Sequence, residues 1–254
     1  MCAKVLAIAN QKGGVGKTTT SISLSSALAR MGKKVLVLDL DPHACATLHA
    51  RIYPEGITCS LHDLFLAQED AWPVIWPDLI HVQALPGIDV APGSIRLSEL
   101  EVDFRERQAK GSVLLRSLTH VRDGYDYIIL DCPPHVGILL VNALVAADLL
   151  IIPIQTDFLA LHGLKLLFDT LHTLNKALGR PVRYRAVPTM YDRRAKACTR
   201  VLELMRRKMG QSMFSTVMGW TRTFARPAPR GAPFMISTPA QRVRSGIIRL
   251  QKKW

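Results

Sequence analysis

No run of apolar residues in this 254-residue chain approaches the roughly 18 to 20 positions that a bilayer-spanning helix needs, so an integral helical membrane protein is excluded. The chain enters a strand-like run at Lys4 without the basic, apolar, small-residue succession of a secretion signal, and a cytoplasmic protein is expected. No C-x-x-C pair occurs. Cys2, Cys45, Cys59, Cys132 and Cys198 are odd in number and scattered, which suits neither a disulfide framework nor a zinc site; they read as reduced thiols that fill space. No G-x-G-x-x-G follows any apolar run, which removes a dinucleotide-dependent dehydrogenase. Internal repeats and low-complexity segments are missing too. The Pro/Gly-rich piece "RPAPRGAP" at 226–233 stands too near the end to divide the chain, so one domain over residues 1–254 is expected. The most informative shortage is of negative charge. Residues 1–127 hold 13 Lys and Arg against 14 Asp and Glu, whereas residues 128–254 hold 20 against 6. After Glu203 there is no acidic residue and there are eleven basic ones. A field of one sign on that scale suits a polyanionic partner; a solvated basic tail is the plain alternative.

What is present is an ordinary globular composition, 48% hydrophobic and 21% charged. Short apolar runs recur: "VLAIA" (5–9), "KVLVLDL" (34–40), "IHVQAL" (80–85), "YIILDC" (127–132), "LLIIPI" (149–154) and "YRAVPT" (184–189). Unbroken Val/Ile/Leu runs, without period-two alternation, suit strands buried on both faces of a parallel sheet. Between them lie helical stretches, among them "TTTSISLSSALARMG", stopped at Gly32, and "HGLKLLFDTLHTLNKALG", stopped at Gly179. Alternation of this kind predicts an α/β fold, a doubly wound and mostly parallel sheet with helices on both faces.

The stretch "NQKGGVGKTTT" (10–20) follows the first apolar run, where loops of such sheets turn into helices and bind ligands. Gly13, Gly14 and Gly16 let the backbone curl with its N–H groups inward, a hollow suited to phosphate. The helix that starts near Lys17 adds its positive N-terminal end. Lys17 can reach the outer phosphates and Thr18 is placed to hold Mg2+. The phosphate-binding set is Lys12, Gly13, Gly14, Val15, Gly16, Lys17, Thr18 and Thr19. Two other runs end in carboxylates, Asp39 and Asp41 in "VLVLDLDPH" and Asp131 in "YDYIILDCPPHVG". Each alone could be a helix cap or a turn residue. A buried strand-end carboxylate is costly unless a cation or donor meets it, and a magnesium nucleotide would supply that cation to all three.

The string resembles the deviant Walker A motif of the ParA/MinD family of partitioning and positioning ATPases: Gln11 replaces the first glycine of the usual phosphate loop, and Lys12 adds a second lysine. "DLDP", "NALVAAD", "PIQTDFLALHGL" and "TMYDRR" are similar to family blocks in family order, so the likeness runs from Lys4 to about Gln241 and is closest to the Soj-like chromosome-partitioning branch. The resemblance implies a P-loop NTPase that binds ATP with Mg2+ and dimerises with nucleotide sandwiched between two subunits. It implies catalytic roles for Lys12, which reaches the partner's phosphates, for Lys17, and for Asp41, which positions the attacking water. Thr18, Asp39 and Asp131 fall on the metal side, Asp131 in its second shell; Asp41, Pro133 and Gly137 fall in the switch that senses the γ-phosphate. It implies slow, dimer-dependent hydrolysis stimulated by a ParB-like or cargo-adaptor protein, and a location on the nucleoid. "MGWT" (218–221) stands where the family loop reads like I-P-R-N, which unsettles the base contacts at Gly219 and Trp220. A DNA-contacting family arginine falls on Thr223, beside Arg222. The C-terminal helix looks short, and autorepression through an N-terminal helix-turn-helix is not expected.

The stretch "DRRAKACTRVLELMRRKMG" (192–210) is amphipathic as a helix, with Cys198, Val201, Leu202, Met205 and Met209 on one face. Arg193, Lys196, Arg200 and Arg207 lie opposite, and with Arg222 they are the candidate contacts to non-specific DNA, read through phosphates. An ordinary solvated face is the alternative. Two rival functions stand beside the DNA-bound switch. One is a MinD-like membrane-cycling ATPase, suggested by Ile247, Ile248, Leu250 and Trp254 among basic neighbours, although membrane binding is not expected. The other is a module that holds nucleotide without hydrolysing it. The cargo, whether chromosome, plasmid or protein cluster, is not legible.

Overall fold

Seven strands form one sheet in the order β3-β4-β2-β5-β1-β6-β7. They are β1 (Lys4–Ile8), β2 (Val35–Asp39), β3 (His81–Leu85), β4 (Ile88–Ala91), β5 (Tyr127–Asp131), β6 (Leu149–Gln155) and β7 (Tyr184–Thr189). The computed structural model describes residues 2–100, 110–158 and 165–219. Every neighbouring pair is parallel except β3 with β4, which is antiparallel. The helices, numbered here in chain order, are α1 (Lys17–Ala29), α2 (Cys45–His49), α3 (Leu61–Leu66), α4 (Trp72–Leu79), α5 (Val113–Ser117), α6 (Ile138–Ala146), α7 (Lys165–Leu178) and α8 (Lys196–Met209).

The unbroken apolar runs are explained by two cores, one on each face of the sheet. Val5, Ala7, Leu36, Leu38, Ile128, Leu130, Leu150 and Ile152 point into one core with α3, α4, α5 and α6. Their neighbours Leu6, Ile8, Val35, Val37, Ile129, Leu149 and Ile151 point into the other, against Ile22, Leu24 and Leu28 of α1. Side chains alternate across a strand, so a strand covered on both faces is apolar along its length, with polar residues left to its carboxyl end. In the first core Trp72 and Trp76 are fully enclosed, and each indole N–H finds a carbonyl, Leu64 at 3.2 Å and Ser117 at 2.9 Å.

The run 80–85 departs from the expected buried parallel strand. It is β3, an antiparallel edge strand whose Val82 is 72% exposed, joined to β4 by a turn that uses Gly87 at φ +73°. The helix ends fall as expected, with Gly32 (φ +76°) and Gly179 (φ +61°) following α1 and α7 in the left-handed conformation that stops a helix. What matters for the site is the register. Asp39 and Asp131 are direct neighbours at the carboxyl ends of β2 and β5, and Ile8, the last residue of β1, is level with Asp131.

Candidate functional site

Residues 9–16 leave the end of β1 and turn into α1. Gly14 (φ +71°) and Gly16 (φ +90°) are left-handed, so a side chain there would strain the loop. Gly13 has no such φ, and a Cβ on it would meet nothing within 4 Å; its missing side chain leaves the space over the loop open. Gly16 is the N-cap of α1 and no side chain caps the helix, so its first N–H groups face that space. The loop is held from beneath. Thr189, the last residue of β7, donates its hydroxyl to the Val15 carbonyl at 2.8 Å, and Asn10 donates to the Pro153 carbonyl at 2.6 Å.

Around this hollow the structure gathers one lysine and three carboxylates out of water. Lys17 and Asp41 are each 8% exposed, while Asp39 and Asp131 are fully buried. Burial lowers the Lys17 pKa from its ordinary value, against the pull of Asp41 and Asp131. Burial likewise pushes Asp39 up to about 6, opposed by hydrogen bonds from Thr47. It pushes Asp131 up to about 7, with the Asp39 charge adding to the effect and hydrogen bonds from Thr18 and Ser21 resisting it. Asp131 Oδ1 accepts the Ser21 hydroxyl at 2.8 Å, but its Oδ2 is buried with no partner. A buried carboxyl with an unmatched oxygen, beside a threonine hydroxyl and a desolvated lysine, fits a magnesium nucleotide, whose cation would favour the ionised form. Thr18 and Asp131 are the residues that can face the metal, and Lys17 with the loop N–H groups can face phosphate.

Each predicted loop residue lies in this arrangement, including Val15, which is buried beneath the loop, and Thr19 in the first turn of α1. Asp41 follows β2 by two residues. Its Oδ1 accepts the His43 backbone N–H at 3.0 Å and lies 2.9 Å from the His43 ring. Pro133 is buried in the loop after β5, and Gly137 is the N-cap of α6. Lys12 is turned to Asp157, just beyond β6, with Nζ 2.8 Å from Oδ2. Asp157, Thr47, Ser21 and Thr189 are site residues that sequence reasoning missed. Asp157, Ser21 and Thr189 lie in stretches named above and Thr47 does not, yet nothing in those stretches marks them as supports, or marks Asp157 as the partner of a lysine 145 positions away.

The basic stretch forms α8, with Val201, Leu202 and Met205 buried and Lys196, Arg200 and Arg207 exposed on the far face. These three have no ion-pair partner among the described residues. Arg193 is not on the helix; it lies in the preceding turn, where the Asp192 carboxylate accepts three hydrogen bonds from Arg194, one from its backbone N–H at 2.9 Å and two from its guanidinium at 2.7 and 3.0 Å. Asp41, Asp39 and the basic face thus occupy the expected elements, while Arg222, Thr223, Trp220 and the tail from Ile247 to Trp254 lie outside the described residues. No described helix is long and apolar enough to cross a membrane.

A family model described as "AAA domain" matches residues 3–183. The sporulation initiation inhibitor protein Soj of Bacillus subtilis is 34% identical over 251 residues, 98% of this chain and 97% of that protein. This chain belongs to the ParA/MinD family. It lies on the Soj-like branch, and the chromosome partitioning protein ParA of Caulobacter vibrioides is 36% identical across 85% of this chain and 80% of its own. Among solved structures, cobyrinic acid a,c-diamide synthase from Mycobacterium smegmatis, with bound ADP and magnesium, superposes with a TM-score of 0.81. It is 30% identical and the match covers 99% of this chain and 95% of that one. In this ParA/MinD member the family's deviant loop is therefore set on the sheet that the sequence predicted.

Proposed function

We propose that this chain, as a single domain, is an ATP-driven switch that dimerises on ATP, binds DNA without sequence preference and positions a large cargo on the nucleoid. The observation that carries the reading is the strand-end group of Lys17, Asp39, Asp41 and Asp131, all buried, with the Asp131 Oδ2 unmatched. The ADP and magnesium of the mycobacterial neighbour support ATP and Mg2+ as the occupants here.

Bound ATP with Mg2+ supplies the phosphoanhydride bond and the cation. The loop N–H groups and Lys17 hold the phosphates, and Thr18 and Asp131 hold the metal side with Asp39 behind them. Asp41 orients a water for in-line attack. Phosphoryl transfer depends mainly on such positioning and charge neutralisation. Lys12 completes the site across the dimer. Its ion pair with Asp157 has side chains about one-third exposed on both partners, so exchanging that carboxylate for a partner's phosphate costs little. The exposed cations of α8 bind phosphates of DNA. A ParB-like or adaptor protein on the cargo stimulates hydrolysis, and the ADP form leaves the DNA.

Asp41→Ala tests the switch. Single-turnover hydrolysis should fall about 100-fold or more, the scale of lost transition-state positioning, with ATP affinity kept and a DNA-bound dimer accumulating. A variant that hydrolyses at the wild-type rate, or leaves DNA freely with ATP present, contradicts the assigned role. Co-sedimentation with DNA or with liposomes in the presence of ATP separates this reading from a membrane-cycling one.

A further inference from the structure

Asp39 and Asp131 are register neighbours, yet their oxygens are used differently. Asp131 keeps Oδ2 without a partner. Asp39 has both oxygens met by protein donors: Oδ2 accepts the Thr47 backbone N–H and the Thr47 hydroxyl, each at 2.7 Å, and Oδ1 faces the Asp41 N–H at 3.3 Å. The Thr47 hydroxyl in turn accepts the Gly93 N–H at 3.0 Å. A hydroxyl has one proton to give. With a lone pair turned to Gly93, that proton is directed to Asp39, so the chain of donors runs one way, from Gly93 through Thr47 to Asp39.

The close approach that makes this possible depends on glycine. A Cβ at residue 93 would lie 2.4 Å from the Asp39 carbonyl oxygen and 3.3 Å from that of Asp41. Three separate pieces of chain therefore meet at one carboxylate: the end of β2, the helix α2 and the turn after β4. Beyond the packing of Ala46 in the core, the helix has few features of its own to fix its start. It is five residues long, its N-cap Ala44 is left-handed at φ +51°, and no side chain caps it. Between β2 and α2 sits Asp41, tied at its N–H to Asp39 and at its carbonyl to the Ala44 N–H at 2.8 Å.

We infer that Thr47 is a positioning residue for hydrolysis. Oriented by Gly93, it fixes the Asp39 carboxylate, and Asp39 fixes the backbone of Asp41 so that the Asp41 carboxylate stays where it orients water. This rests on the ATPase reading above. Asp39 acts through Asp41, while Asp131 keeps an oxygen for the bound ligand.

The full chain with Thr47→Val keeps the shape and the backbone donor and removes the hydroxyl; Thr47→Ser restores it. Three quantities are measured: affinity for a fluorescent ATP analogue, kcat for ATP, and hydrogen–deuterium exchange of residues 39–47 without nucleotide. Thr47→Val should keep ATP affinity within about twofold and lose about tenfold in kcat, the scale of one hydrogen bond to a charged group. Exchange in 39–47 should quicken by a similar factor, and Thr47→Ser should return both towards wild type. If Thr47→Val does not fold, Thr47→Cys, a weaker donor of similar size, takes its place. Unchanged kcat and exchange overturn the inference. So does a serine variant as impaired as valine, or an ATP affinity that falls in step with kcat, since either marks Thr47 as packing alone. A wild-type protein that hydrolyses no ATP overturns the ATPase reading instead, and the exchange comparison still decides whether Thr47 holds the Asp41 loop.

Discussion

At the carboxyl ends of β2 and β5 the charged groups Lys17, Asp39, Asp41 and Asp131 are at most 8% exposed, whereas along α8 Lys196, Arg200 and Arg207 stand in solvent. The two regions carry different kinds of information. Burying an ion costs several kcal/mol even after relaxation, roughly speaking, so a fold does so only where a ligand or a full set of donors answers it. An exposed cation costs almost nothing and is found on most surfaces. One buried oxygen without a partner therefore points to a ligand more strongly than one exposed arginine. The basic face acquires meaning only through its sum, since Glu203 is the one acidic residue between Lys196 and Met209.

The sharpest way to break this contrast is to remove the buried cation. Lys17→Ala should weaken ATP binding by about 1000-fold, the scale of losing a desolvated charge from a phosphate site, in a fluorescent-nucleotide titration. Retained binding would dissolve the phosphate-loop assignment. Next comes Asp131→Asn, which removes the buried negative charge but keeps the shape. The Asp131 carboxyl binds its proton more tightly in the folded chain, where its pKa is about 7, than unfolded. Folded stability from this group is therefore complete below about pH 4 and is lost as pH rises towards 7. Without nucleotide, the wild type should be less stable than Asp131→Asn at pH 8, by an amount of the order of 4 kcal/mol, and the gap should close on acidification. Thermal melts at pH 5 and pH 8 check this, and a gap independent of pH would show that the charge is already compensated. The smallest effect is expected on the exposed side. Arg200→Glu should weaken DNA binding by about tenfold and flatten its salt dependence by one or two phosphate contacts, about one per charge, with ATP affinity unchanged. A joint loss of ATP and DNA binding would make α8 structural.

The regions also differ in how far the sequence reveals them. The loop and the three aspartates were legible because glycines, lysines and strand-end carboxylates each have a physical reason to stand where they do. Their supports were not. Lys12 with Asp157 and Thr47 with Gly93 are pairs made by the crossing of distant chain segments, and neither residue type signals its partner. The central strands were legible from runs that face two cores. β4 was not, since "IDVA" is four residues long and carries Asp89, whose carboxylate binds the Tyr125 hydroxyl at 2.8 Å and the Gln83 N–H at 2.7 Å. The reversal of β3 was missed because "IHVQAL" has the composition of a central strand, and only the turn at Gly87 sets its direction. Arg193 was placed on the helix because its angular position suits the basic face, but Asp192 and Arg194 close a local turn before α8 begins.

That reversed strand has a meaning for life in a crowded cell. A parallel sheet ending in a straight, open rim invites a second molecule to continue it. Here one rim is a short reversed strand with Gln83 bent to φ +51°, and its pairing with β4 is irregular. The opposite rim, β7, is shielded by residues 213–219, which return along it through Phe214 to Ala186 at 2.8 Å and Met218 to Pro188 at 2.8 Å. Among the described residues neither border presents a clean ladder for runaway stacking, so copies brought close together are discouraged from fusing edge to edge.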